Sequence, residues 1–139
     1  MLARFRVATR ATGVRRQVWV FVFDDLEQLG RSHAAVHKRD YDPDDDIAGS
    51  VTIQQGFRWP SPDPGPAIVM RLWTGQLTAS TIAHEAVHVA TALYFMDVLP
   101  AWDTRARTVL MGTHEPLAYV VGDLTQRIND CLHRLHLYP

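Results

Sequence analysis

The sequence predicts an α+β domain: a small, mostly antiparallel or mixed sheet of three or four strands, packed against two long helices. Three observations point there. Short apolar runs rich in β-branched and aromatic residues occupy the first half of the chain. Longer stretches of helical periodicity occupy the second half. Strands followed by helices, rather than alternating with them, is the order of an α+β fold. At 139 residues the chain fits one domain, strand-rich over 1–75 and helical over 76–139.

The elements follow in order. RRQVWVFVF at 15–23 reads as a strand. Arg4, Arg6, Arg10, Arg15 and Arg16 surround its approach, as in a signal peptide, but Asp24 and Asp25 end the apolar run early, short of the about 7–15 residues a signal needs. Residues 24–30 can cap and form a helical turn, and 33–39 fit helix or strand equally. DPDDD at 42–46 is an acidic turn without the spacing of a calcium loop. AGSVTIQ at 48–54 alternates as a second strand. Pro60, Pro62, Pro64 and Pro66 then forbid helix and make 55–66 a stiff, extended loop. AIVMRLW at 67–73 is a third strand, ended by Thr74 and Gly75. Thr78 or Ser80 caps a helix that runs to about Val98, before Pro100. A turn with room for a short helix spans 99–113, and a last helix spans about 113–135.

Composition excludes several classes. A net charge of -1 argues against a general nucleic-acid binder. No stretch reaches the roughly 18 apolar residues of a membrane span. The single cysteine, Cys131, forms no intrachain disulfide and reads as a small hydrophobe on the last helix, and these features together suggest a cytoplasmic protein. All but one of the 14 basic residues are Arg, and 12 of the 15 acidic residues are Asp, a bias expected from a GC-rich genome. Glutamate is therefore scarce, and occurs only at Glu27, Glu85 and Glu115.

Two of those three lie in one motif neighbourhood. His84-Glu85-Ala86-Val87-His88 is H-E-x-x-H in the middle of the first long helix. Residues four apart share a helix face, so both imidazoles can hold one metal ion at nitrogen–metal distances of about 2.0–2.1 Å. Glu85 projects about 100° around the helix, where it can reach a metal-bound water without ligating the metal. Coordination lowers that water's pKa toward about 7, and a carboxylate beside it can accept the proton. A catalytic zinc needs a further protein ligand. Glu115, 27 residues after His88, and His114 beside it are the candidates, with Asp97 and Asp103 the acidic side chains between. Glu115, Ala118, Tyr119 and Gly122 share a helical face, and the small Ala118 and Gly122 would let the two long helices approach closely there. Tyr119 can donate to a developing oxyanion, or pack with a tethered hydroxyl. His33 with His37, and His133 with His136, also have helical spacing but no carboxylate motif, and read as surface or structural residues.

On His84-Glu85-x-x-His88 followed by Glu115-x-x-Ala118-Tyr119, the chain resembles the zincin metallopeptidases, more narrowly their glutamate-ligand branch, the gluzincins. In layout it is similar to compact zincin-like proteins of bacteria and their phages, including the ImmA/IrrE-like group. The metzincin branch is excluded, because its third histidine would stand at Tyr94. The resemblance implies one zinc ion per chain, held by His84, His88 and Glu115, with Glu85 as general base. It also implies that the strand at 67–73 is an edge along which a peptide substrate lies extended. The expected function is zinc-dependent peptide-bond hydrolysis. Two other readings compete: a non-catalytic zinc-binding interaction protein of the same fold, encoded by a phage or prophage, and a metal-free interaction module using the proline loop with Trp59, Trp73 and Trp102.

Overall fold

The computed structural model describes residues 1–44, 49–54, 67–98 and 115–137. Its sheet is built around β2 (Arg16–Phe23) and β4 (Ala67–Trp73), which pair in parallel. β1 (Ala3–Thr9) pairs antiparallel with β2, and β3 (Gly49–Gln54) antiparallel with β4. The order is β1-β2-β4-β3, so the sheet is mixed and four-stranded. Alternation sends Val18, Val20 and Val22 of β2, with Ile68, Met70 and Leu72 of β4, into one core. That face is covered by α2 (Ala79–Asp97), through Ile82, Ala86, Val89, Ala90 and Leu93, and by α3 (Glu115–Arg134), through Val120, Leu124, Ile128 and Leu132.

The other face holds Trp19 and Phe23, both buried, and is covered by α1 (Leu26–Val36). The expected two long helices are present, and α1 is a third. It merges the helical turn at 24–30 with the ambiguous run at 33–39. Asp25 caps it by accepting from the Glu27 amide at 2.9 Å, and Leu29 and Ala34 bury against the sheet. A parallel β2–β4 pair needs a crossover connection, and α1 supplies the helix of that crossover. Tertiary burial therefore settles a local ambiguity that sequence left open.

β1 is the strand that sequence reading missed. Ala3, Phe5 and Val7 pack on the core while Arg4, Arg6 and Ala8 alternate outward. Arg4 and Arg6 at the outward positions interrupt the apolar run, so composition hides the period of two. α2 begins as expected, with Thr78 Oγ1 accepting from the Thr81 amide at 3.1 Å. The expectations for 55–66 and 99–113 lie outside the described residues. No helix among the described residues is long and apolar enough to cross a membrane.

Two buried polar contacts tie the layers. Arg71 of β4 is 2% exposed and donates to Ser32 Oγ of α1 at 2.9 Å and Thr52 Oγ1 of β3 at 2.8 Å. Burial lowers its pKa to about 10, which leaves it cationic at neutral pH. Asp97, the last residue of α2, has a side chain 1% exposed. Arg16 Nε donates to its two oxygens at 3.0 and 3.1 Å, a terminal Arg16 nitrogen adds a further contact, and Thr12 Oγ1 donates at 2.7 Å. Burial by itself raises this carboxyl. The hydrogen bonds from Arg16 and Thr12, with the guanidinium charge, outweigh that and hold it below the usual carboxylate range.

This clasp fastens the end of α2 to the β1–β2 turn, and its strength should depend on pH. Its contribution is complete above the unfolded carboxyl value of about 3.9 and is lost as pH falls through the depressed folded value. Arg16→Ala should cost about 2 kcal/mol in urea denaturation at neutral pH, with the gap from the parent protein closing in strong acid.

Candidate metal centre

The rotation of α2 about its axis decides where the motif residues go. Ile82, Ala86, Val89, Ala90 and Leu93 are all fully buried and define its inner face. At 100° per residue the opposite face carries His84 and His88, and both are exposed. Their Nε2 atoms lie 3.2 Å apart, with the rings edge-on at 75° and centroids 4.9 Å apart. A tetrahedral ion with bonds of about 2.0–2.1 Å holds two nitrogens about 3.3 Å from one another. The histidine pair therefore fits two adjacent positions of a zinc ion. In the metal-free chain the same distance suits a hydrogen bond from one imidazole to the other.

Glu85 falls between the two faces of the helix and is 5% exposed. Its carboxylate meets β3 at Gly49. A Cβ placed on Gly49 would stand 2.6 Å from Oε1 and 3.1 Å from Cδ, so a larger residue there would have to push the carboxylate aside. Glu85 Oε2 is buried without a hydrogen-bond partner among the described residues. Burial pushes this carboxyl up from its ordinary value, and the charges of His88 and His84 pull it down by less. The group is thus a stronger proton acceptor than a surface glutamate, and its orphaned oxygen is a site for a proton or a water. Gly49 is the site residue that sequence reasoning passed over. A glycine inside a strand signals close approach of another group, and here that group is Glu85.

The other expected residues are placed less tightly. α3 begins at Glu115 with Pro116 in its first turn, where a missing amide proton is tolerated. The Glu115 side chain and the whole of His114 lie outside the described residues. Ala118, Tyr119 and Gly122 are exposed, and a Cβ on Gly122 would meet nothing within 4 Å. The expected close approach of the two helices at Ala118 and Gly122 is therefore corrected. α3 packs through its opposite face, because Val120, Leu124, Ile128 and Leu132 offer far more apolar surface than two small residues do. Tyr119 is 68% exposed, and its hydroxyl makes no hydrogen bond among the described residues.

Asp97 is removed as a ligand candidate by Arg16 and Thr12. Among the described residues no third His, Cys, Asp or Glu gathers with the histidine pair into a three-ligand group. His33 of α1 and His37 at its C-terminal cap contact each other, with ring centroids 4.6 Å apart, and His133 and His136 are exposed near the end of α3. Cys131 is a free, half-buried thiol packed against the core.

The strand at 67–73 requires a second correction. β4 is not an edge, since β2 pairs with one side of it and β3 with the other. Its backbone groups are committed to those ladders, so no peptide can add to it. Among the described strands the outer position beside α2 belongs to β3, the strand that Glu85 touches. Compared with protein-family models, with curated proteins and with solved structures, the chain finds no match.

Two outcomes follow from this geometry. Gly49→Ala forces the Glu85 carboxylate or the edge strand to move and should cost about 1–3 kcal/mol of stability, measured by denaturant unfolding. In chelator-treated protein, Glu85→Gln should raise the melting temperature at neutral pH. A carboxyl whose folded pKa is raised weakens folding as pH climbs past the unfolded value of about 4.3, so the advantage of the amide should vanish in acid.

Proposed function

We propose that the chain is a zinc-dependent peptidase. The observation that carries this reading is the pairing of His84 and His88, with Nε2 atoms 3.2 Å apart, beside a buried Glu85 with one unpartnered oxygen. The two histidines would hold the ion, with Glu115 at the head of α3, or His114 before it, as the third protein ligand. Zinc supplies Lewis acidity toward a carbonyl and brings the pKa of a coordinated water to about 7.

Glu85 does the proton work. Its raised pKa suits it to take a proton from the attacking water as the new carbon–oxygen bond forms, and to return that proton to the amine as the carbon–nitrogen bond breaks. The close fit against Gly49 restricts how the carboxylate can turn. Tyr119, on the exposed face of α3, is assigned as the donor to the developing oxyanion. The substrate is placed along the outer side of β3 in place of β4, where backbone hydrogen bonds would hold an extended peptide in register.

Metal analysis and peptide hydrolysis test the proposal together. The purified chain should carry one zinc, and His84→Ala or His88→Ala should lose it. Glu85→Gln should keep the metal and lose activity by about 100-fold or more, and Glu85→Asp, one methylene shorter, should also fall. Full hydrolysis by a zinc-loaded Glu85→Gln protein would sink the mechanism, and zinc binding without hydrolysis in the parent chain would favour an interaction protein of the same fold.

A further inference from the structure

On the sheet face away from the histidines, a positive charge is buried without a negative one beside it. Arg71 is 2% exposed, and among the described residues no carboxylate pairs with it. Its side-chain partners, Ser32 and Thr52, are neutral hydroxyls. Opposite Arg71 in the β3–β4 register stands Ser50, 9% exposed, whose buried Oγ has no hydrogen-bond partner among the described residues. We propose that Arg71 and Ser50 bind a small monovalent anion of the size of chloride, between α1 and β3.

The placement follows from strand alternation. Met70 and Leu72 of β4 enter the core under α2, so Arg71 between them points to the face that α1 covers. Residues directly opposite in an antiparallel pair share a face, with Cβ atoms about 4.5–5.5 Å apart, so Ser50 joins Arg71 there. Thr52, two residues further on, is on the same face and equally buried. A guanidinium has five N–H groups. Nε spends one on Ser32 and Nη1 spends one on Thr52, and Nη2 makes no hydrogen bond among the described residues. Donors therefore remain on both sides of the β3–β4 ladder, on Arg71 and on the Ser50 hydroxyl.

Charge selects an anion over water. A water molecule can accept from the guanidinium and from Ser50, but it leaves the charge uncancelled, and an unpaired charge taken out of solvent is strongly disfavoured. Burial lowers the Arg71 pKa only to about 10, so the side chain stays cationic at neutral pH. One positive charge calls for one negative charge, which sets the valence. Buried donors set the size: a halide or a one-carbon carboxylate suits them better than a large or strongly hydrated anion, whose water must be left behind. Ser50 follows Gly49, which Glu85 touches, so the anion also braces the strand beside the candidate metal centre. None of the residues of that centre holds the anion, so this inference stands apart from the peptidase reading.

The test follows thermal unfolding of the full chain in sodium chloride, sodium formate and sodium gluconate at one ionic strength. A chelator is present so that no metal at His84 and His88 responds to the anion. Gluconate is too bulky for the site and serves as the reference. Chloride or formate should raise the melting temperature saturably, by about 3–6 °C at an anion concentration about ten times the dissociation constant. The one that saturates at lower concentration identifies the source as halide or carboxylate. Ser50→Ala should raise the dissociation constant about three- to tenfold, and Arg71→Met should abolish the response. Should Arg71→Met fail to fold, bromide in a crystal of the parent chain gives a second reading, with one anomalous peak expected beside Arg71 and Ser50. Equal melting in all three salts, an undiminished response in either variant, or an ordered water beside Arg71 in the bromide crystal overturns the proposal.

Discussion

The candidate site depends on one packing constraint, the angle at which α2 lies on the sheet. Ile82, Ala86, Val89, Ala90 and Leu93 must all leave water, and together they allow the helix only one rotation. With that rotation set, His84 and His88 face outward, and Glu85 is carried to the rim where helix and edge strand meet. The raised pKa of Glu85, its orphaned oxygen and its contact with Gly49 are consequences of hydrophobic burial a few residues away. The Asp97 clasp with Arg16 and Thr12 then holds the far end of the same helix. In this way the geometry of three polar side chains is decided by apolar residues on the opposite side of the helix.

The sheet makes a matching contribution. Parallel pairing of β2 with β4 places the most apolar strands in the middle, with faces covered by α1 on one side and by α2 and α3 on the other. β3 adds antiparallel to β4 and takes the outer position beside α2. Gly49 at its start lets the helix carboxylate approach the strand backbone. A side chain there would push the two apart, so the edge strand and the Glu85 carboxylate are coupled by the lack of one methyl group. On the sheet's other face, Arg71 bridges α1 and β3 through Ser32 and Thr52, joining crossover helix and edge strand with one buried cation.

Much of this was legible beforehand, for identifiable reasons. H-E-x-x-H is a local pattern, and an α-helix turns that pattern into a face without help from the rest of the chain. The three strands at 15–23, 48–54 and 67–73 carry strong β composition, and each is present at close to those bounds. The misreadings share a cause as well. β1 alternates correctly, but Arg4 and Arg6 occupy its outward positions, and charge masked the period. α1 spans a segment split between a capping turn and an ambiguous run, and it becomes one helix where Leu29 and Ala34 bury against the sheet. The small residues Ala118 and Gly122 suggested a helix contact, yet contact area favoured the larger side chains on the opposite face.

By itself, then, the amino-acid sequence determined the element types, the α+β class and the one-turn pairing of His84 with His88. All of these follow from local periodicity and chain geometry. Tertiary structure alone decided which strand lies at the edge, which acidic residue is consumed by an arginine, and which glycine makes room for Glu85. Those outcomes depend on contacts between residues tens of positions apart. Which surfaces bury the most apolar area together settles them, and no local window of sequence contains that comparison.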